Sequence, residues 1–444
     1  MNKRKLILSL FSISILIALS QIQGAHFRPS DALPNASDID GKMLANMPSA
    51  GAAIKSFQAR TKQNPQDAVS YTLLAEQYIR QARETGDVTS YQRAEASLNE
   101  ALKLVPNYSA ATTALASVYY AQHDFLPALE LAKQVHEKNP KNTDALAVIG
   151  DAQFALGNYT EAEAAYQALV DKGASPPLLA RLAAVEELKG NDQEALSLMR
   201  RAAADALQSG GTKESVAWYI LRVGDMYFNR GEYKQAGGYY AATLRVFEGS
   251  HPALAGLGKV SAAQGRYEEA ITYYQQAINI IPQPDYLASL GDLYALINQP
   301  QQAQRQYQTV EYIGKLAEIN EQIYNRQLAN FYSDHDVHVE EALQLTLAEL
   351  KTRKDIYGYD AAAWAYYKNG RYQKAQALMD QAMLFGTRDA RLYYHAGMIA
   401  YALHQHEKAR EQLEQALMIN PHFSILSAGQ IQQSLRVLNQ TATK

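Results

Sequence analysis

The chain has 444 residues, 47% of them hydrophobic and 20% charged, with a formal charge of −3 and no cysteine. Lysine and arginine form no long basic run, which disfavours a phosphate-backbone partner, so no nucleic acid is expected. Without thiols there is no disulfide framework, thiolate metal site, thiol nucleophile or lipid-modified cysteine.

The first element is a candidate export signal. Lys3, Arg4 and Lys5 precede an uncharged apolar run over 6–20, and small residues follow at Ser20, Gly24 and Ala25. As a helix that run measures about 22 Å, short of the ~30 Å hydrocarbon core. Residues 1–25 therefore read as a signal peptide cut after Ser20 or Ala25, or else as an uncleaved N-terminal anchor that tethers the chain to a membrane. Either way the expected location is outside the cytoplasm, periplasmic or extracellular. Residues 26–50 carry Pro29, Pro34, Asn35, Ser37 and Gly41 without helical period and read as a flexible linker.

A helical pattern starts at 51. The string AAIKSFQARTKQNP reads as the second helix of a repeat, with Ala53 and Phe57 as a small and large pair and Pro65 as terminator. Ala128, Ala162, Ala195, Ala236, Ala270, Ala303, Ala342, Ala375 and Ala409 then recur about every 34 residues, a period that marks stacked units unable to bury their own apolar faces. A large residue stands four positions after most of them, as at Tyr166, Met199, Tyr240, Tyr274, Tyr307, Met379 and Leu413. Upstream of each alanine lies another small residue, as at Ala116, Gly150, Ala183, Gly224, Gly258, Gly291, Ala329, Ala363 and Gly397. Small residues on both helices let the axes approach, and tyrosine rings fill the space beside them.

Strings such as LAVIGDAQFALGNYTEAEAAYQAL and LAGLGKVSAAQGRYEEAITYYQQAI resemble the tetratricopeptide repeat (TPR), and the resemblance runs over roughly 51–421. It implies an all-α, right-handed superhelical solenoid of about ten TPR helix–turn–helix units plus capping helices. The closing third is similar to exported bacterial multi-TPR proteins of unassigned role, which implies a scaffold with no catalytic residues and no cofactor.

Three departures from the period divide the array. QARETGDVTS lengthens the first full unit, so that either both helices run long or a loop projects. RRAAADALQSGGTKESVAW and EYIGKLAEINEQIYNRQLANFY are also overlong, and they separate TPR segments at 51–202, 203–310 and 311–421. In 422–444, Ile425, Leu426, Ile431, Leu435 and Leu438 recur at helical spacing and predict a C-terminal capping helix.

In this fold the first helices line the concave face. Residues one and four after the small position there include Asp151, Phe154, Asp225, Phe228, Asp292, Trp364, Tyr367 and Tyr401. Carboxylates among aromatic faces suit a protein or peptide partner, rings anchoring and acids fixing register against Lys or Arg. The bland alternative is a solvated acidic face with rim packing. The subclass that grips chaperone tails with Lys and Asn is not implied, since Thr72, Glu76, Thr113, Ser117, Ala147 and Asp151 stand at those places.

No phosphate loop, nucleophile elbow or zinc-type histidine pair is present, so no enzyme is expected. The one cluster with metal-ligand chemistry is Asp334, His335, Asp336, His338 and Glu340, and it lies at an interhelical turn where a capping role is the stronger reading. His404 and His406 stand at another such turn. No metal site is therefore assigned. The function expected is an exported scaffold in an envelope or extracellular assembly. The alternative is an accessory component of polysaccharide export or modification, which would hold sugars on the Trp364, Tyr367 and Tyr401 surface.

Overall fold

The computed structural model describes residues 33–39, 41, 49–319 and 325–442, and every regular element among them is helical. The expected signal or anchor at 1–25 lies outside the described residues. No helix among the described residues is long and apolar enough to cross a membrane.

A leading helix, α1 (Ala50–Gln63), stands alone and ten antiparallel pairs follow. These are α2 (Ala68–Thr85) with α3 (Thr89–Leu104), α4 (Ser109–Ala121) with α5 (Phe125–Lys138), α6 (Thr143–Ala155) with α7 (Tyr159–Val170), α8 (Pro176–Leu188) with α9 (Asp192–Ser209), and α10 (Lys213–Asn229) with α11 (Tyr233–Val246). The array continues with α12 (His251–Ala263) and α13 (Tyr267–Ile280), α14 (Pro284–Leu296) and α15 (Pro300–Ile319), α16 (Asn325–Asp334) and α17 (Val339–Glu349), α18 (Ile356–Lys368) and α19 (Tyr372–Ala382), and α20 (Ala390–Ala402) with α21 (His406–Ile419). α22 (Ser427–Ala442) closes the end, with Ile431 and Leu438 fully buried as the apolar spacing predicts.

The small positions behave as the period requires. All nine recurring alanines from Ala128 to Ala409 are 3% exposed or less. A Cβ on Gly150, Gly224, Gly258 or Gly291 would meet the ring of Tyr166, Tyr240, Tyr274 or Tyr307 within 3 Å, so the tyrosines do occupy the space those glycines leave. The first overlong unit resolves into long helices: α2 has 18 residues and α3 has 16. α9 and α10 likewise run to 18 and 17, and α15 to 20.

Each turn between the two helices of a unit needs one residue in the left-handed region. Glycine supplies it at Gly157, Gly190, Gly231, Gly265 and Gly370, while His123, Asn298 and His404 take the same place in other units. Asp336 and His338 are also left-handed. The turn histidines are thus backbone-shaping residues. Helix starts are capped by Asn142 from Ala145 N–H at 2.9 Å, by Thr212 from Ser215 N–H at 3.2 Å and by Asp355 from Gly358 N–H at 2.6 Å.

The flexible-linker reading of 26–50 requires correction at 33–39. Leu33 and Ile39 are buried against the cluster that includes Tyr239, Ala242 and Val246, and a short 3₁₀ turn spans Ala36–Asp38. Arg245 donates through Nε to the Ile39 carbonyl at 3.0 Å and through Nη2 to that of Ala36, which pins the segment on α11.

The array also folds back on itself. The turns inside the third, fourth and fifth pairs meet the junctions that follow the eighth, ninth and tenth. Lys354 N–H donates to Leu156 O at 3.1 Å, Thr387 Oγ1 to Leu188 O at 2.6 Å, and Asn420 Nδ2 to Phe228 O at 2.8 Å. Two superhelical turns therefore lie in edge contact, closer than an open solenoid.

Candidate functional site

The candidate positions all lie on the first helix of a pair. Three aspartates there share one local device: the residue after the glycine accepts from the tyrosine that fills the space beside that glycine. Tyr166 Oη donates to Asp151 at 3.0 Å, Tyr240 Oη to Asp225 at 2.9 Å and Tyr307 Oη to Asp292 at 2.9 Å. Tyr166 and Tyr240 are 3% and 1% exposed, so a hydroxyl without this acceptor would carry a desolvation cost of roughly 1–3 kcal/mol.

The same carboxylates are also charge-paired. Arg181 meets Asp151 with two bonds, at 2.7 and 2.6 Å, and Arg222 reaches Asp225 at 3.0 Å and Glu187 at 3.4 Å. Asp292 accepts His335 Nε2 at 2.8 Å. These aspartates are neither free hooks for a partner nor a simple solvated face.

The aromatic positions divide. Phe228 is 6% exposed and Trp364 is 2% exposed, which corrects the expectation that they stand open as anchors. Trp364 donates from Nε1 to Asp334 at 2.8 Å and stacks on Tyr367 at 4.6 Å and on His395 at 4.1 Å. His395, itself buried, pairs with Asp360 at 2.7 Å. Tyr367 and Tyr401 lie half-buried against the same cluster. Phe154 abuts Tyr159, whose other neighbour is Phe385 from the second superhelical turn.

The cluster at 334–340 disperses. Asp334 is taken by Trp364 and by Arg391 at 3.3 Å, His335 by Asp292, and Asp336 by Lys368 at 2.8 Å. His404 and His406 have ring centroids 6.2 Å apart.

Other charges converge that the repeat register did not point to. Asp285 in the first turn of α14 and Asp389 at the N-cap of α20 both act on Arg391. Arg391 lies in the field of Asp334, Asp360, Asp389 and Asp285, while Arg222 lies in that of Asp225, Glu187 and the Tyr357 phenol. Surrounding protein desolvates Glu187, Asp285 and Asp389 and raises their pKa values, with Arg222 opposing at Glu187 and Lys259 at Asp285. At Asp389 the opposition comes from the Arg391 N–H and guanidinium, and Asp360 adds to the rise. Tyr357 is 44% exposed, yet desolvation and the Asp389 charge push its phenol well above 10, and it donates to Asp389 at 3.4 Å.

Where the two superhelical turns meet, a cavity of about 70 Å³ is lined by Glu187, Asp192, Arg230, Tyr357, Arg388 and Asp389 among others. Small-molecule sites begin near ~300 Å³, so this gap suits a few water molecules.

The chain matches profiles described as Tetratricopeptide repeat over residues 113–178, 215–283 and 390–423. Over 225 residues it is 25% identical to human Protein O-mannosyl-transferase TMTC1, an alignment covering 47% of this chain and 24% of that protein. The chain thus spans about a quarter of the length of the curated relative it matches. Among solved structures it is similar to human IFIT1, a dimer with PPP-AAAA, at 14% identity and a TM-score of 0.49, covering 75% of this chain and 77% of that one. Yeast Tom70 aligns at 12% identity and a TM-score of 0.38, over 89% and 93% of the two chains. A tetratricopeptide repeat protein from Parabacteroides merdae aligns at 17% and 0.34, over 60% and 100%. These likenesses concern the fold. Repeat period, helix pairing and profile matches agree: the chain is a multi-tetratricopeptide-repeat protein, an all-α superhelical scaffold of the kind that binds other proteins.

Proposed function

We propose that the inner face holds an extended, lysine- or arginine-bearing segment of a partner protein, and that the protein is a non-catalytic scaffold acting outside the cytoplasm. The observation that carries the binding reading is the charge imbalance on that face: Glu187, Asp285 and Asp389 have raised pKa values because nearby cations do not offset their desolvation. A partner's ammonium or guanidinium would supply what is missing, and Tyr357 offers an exposed ring beside it. Export rests on Lys3, Arg4 and Lys5 ahead of the apolar run at 6–20, and the same run is the proposed membrane tether when uncleaved. The polysaccharide alternative keeps only the half-buried Tyr367 and Tyr401 of its surface, because Trp364 is buried against Tyr367 and His395.

The test is fluorescence anisotropy with two labelled peptides of equal length and apolar content, one bearing lysines and one bearing glutamates. The lysine peptide is expected to bind at least tenfold more tightly, and Asp285→Asn with Asp389→Asn to abolish most of the difference. Equal binding of both peptides overturns the reading. Cell fractionation with and without residues 1–25 tests location, and an unchanged distribution overturns export.

A further inference from the structure

We propose that the N-terminal tether joins the array at α11, in its fifth pair, and not at α1, so that a tethered chain is held to the bilayer by its middle. The tether itself rests on the preceding reading of residues 6–20, whereas the point at which the chain leaves the array does not.

The segment at 33–39 is docked away from its own neighbour in sequence. Leu33 and Ile39, 4% and 0% exposed, belong to the core that holds Tyr239, Ala242 and Val246, whereas Ile54 of α1 belongs to another, with Leu74 and Leu98. Covalent order would hand the chain straight to α1. The apolar pair takes it first to a helix more than 200 positions onward.

α11 is shaped to receive it. Gly238 stands inside the helix, where glycine weakens the backbone, and a Cβ there would come within 3.2 Å of the Ala36 Cβ. Gly41 makes the converse approach: a Cβ on it would stand 2.6 Å from the Arg245 carbonyl oxygen and 3.0 Å from Val246 Cα, so its backbone lies directly on the end of α11. The Arg245 side chain bonds the carbonyls of Ile39 and Ala36. Two buried apolar side chains, a glycine on each partner and an arginine that reads the backbone together make a specific dock.

Chain length then sets the geometry. Residues 21–32 separate the apolar run from the dock and reach at most about 45 Å when fully extended. Were α1 the first fixed point, residues 21–49 would allow roughly 100 Å. The dock thus shortens the leash by more than half and moves its origin to the fifth pair, with helix pairs on both sides of the attachment.

The test uses the full chain, which has no cysteine, in phosphatidylcholine vesicles. Spin labels on cysteines replacing Ser30, just ahead of the dock, and Gln235, exposed on α11, report the exit point by electron–electron double resonance. One narrow distribution below about 40 Å is expected. Leu33→Asp with Ile39→Asp should move at least half of the population to longer distances, with the circular dichroism of folded helices retained. A broad distribution that the double variant leaves unchanged overturns the exit at α11. If the double variant loses helicity, Arg245→Ala takes its place with the same expected change. Independently, energy transfer from a dye on a cysteine replacing Gln235 to an acceptor-labelled lipid should fall at least twofold in the double variant, because the leash lengthens. Transfer that does not fall overturns the placement of the bilayer. A chain that parts from the vesicles on flotation overturns the tether reading and the bilayer placement with it, while the distance between residues 30 and 235 still decides the exit.

Discussion

Replacing Gly291 by alanine tests whether the tyrosine-filled space is a tight packing device. In an exposed helix interior this change stabilises by about 1 kcal/mol, because alanine is the better helix former. Here the new Cβ would stand 2.3 Å from Tyr307 Cε1, 2.8 Å from Cδ1 and 3.0 Å from Cζ. Relief requires the ring to move by about 1 Å to restore ordinary contact near ~3.5 Å. The ring is held by its hydroxyl on Asp292 at 2.9 Å and by the His335 ring at 4.8 Å. Overpacking of this kind costs about 1–3 kcal/mol, and displacement of the hydroxyl from a charged acceptor adds about 1.5 kcal/mol or more. After the helix gain is subtracted, Gly291→Ala is expected to destabilise the α14 and α15 pair by about 2 kcal/mol. Gly429, with nothing within 4 Å of its Cβ position, is the control and should be neutral or slightly stabilised by the same change. Hydrogen exchange resolved by peptide is the assay, since a repeat array need not unfold in one step. Protection should fall about thirtyfold in 284–310 with Gly291→Ala, and recover when Tyr307 is also changed to leucine. Unchanged or increased protection in the single variant refutes the packing argument.

Two further outcomes are expected. Burial lowers the pKa of His251 to about 4, with its Nδ1 3.0 Å from Tyr286 Oη. The folded chain keeps it neutral while the unfolded chain protonates near ~6.5, so its contribution is present above that pH and is lost as pH falls toward 4. Urea titrations between pH 7 and 4.5 should show His251→Gln losing about 2–3 kcal/mol less than the unchanged chain. At His335 desolvation is outweighed by the bond and charge of Asp292, so its pKa is raised and its contribution runs the other way, present below ~6.5 and lost as pH rises. Arg245→Ala should loosen the 33–39 segment on α11, and limited proteolysis should cut there roughly tenfold faster, from about 1.4 kcal/mol of lost hydrogen bonding, with the repeats left intact.

The helix pairing was legible because it depends on spacing within each unit. Small and large residues placed the ten pairs, the leading helix and the cap. The aspartate and tyrosine contacts were also present as a spacing, Asp151 to Tyr166, Asp225 to Tyr240 and Asp292 to Tyr307, but reading the acids and the rings separately hid it. Trp364 misled for a different reason: its position faces inward, yet Asp334 and His395 from neighbouring pairs close over it. The edge contact between the two superhelical turns carries no local signal, since its bonds join residues such as Leu188 and Thr387 that lie 199 positions apart. Segment 33–39 has the composition of a spacer, and it is the burial of Leu33 and Ile39 and the two carbonyl contacts of Arg245, more than 200 positions away, that give it a fixed place.

The edge contact between the two superhelical turns limits how such a chain can change length. Most repeat arrays grow or shrink by whole-unit duplication or loss, since each unit consults only its neighbours. Here Leu156, Leu188 and Phe228 each require their counterpart about five units onward. A unit inserted between the fifth and eighth pairs would misalign all three contacts at once. These three contacts therefore fix the number of units in that interval, while they set no limit on extension beyond either end.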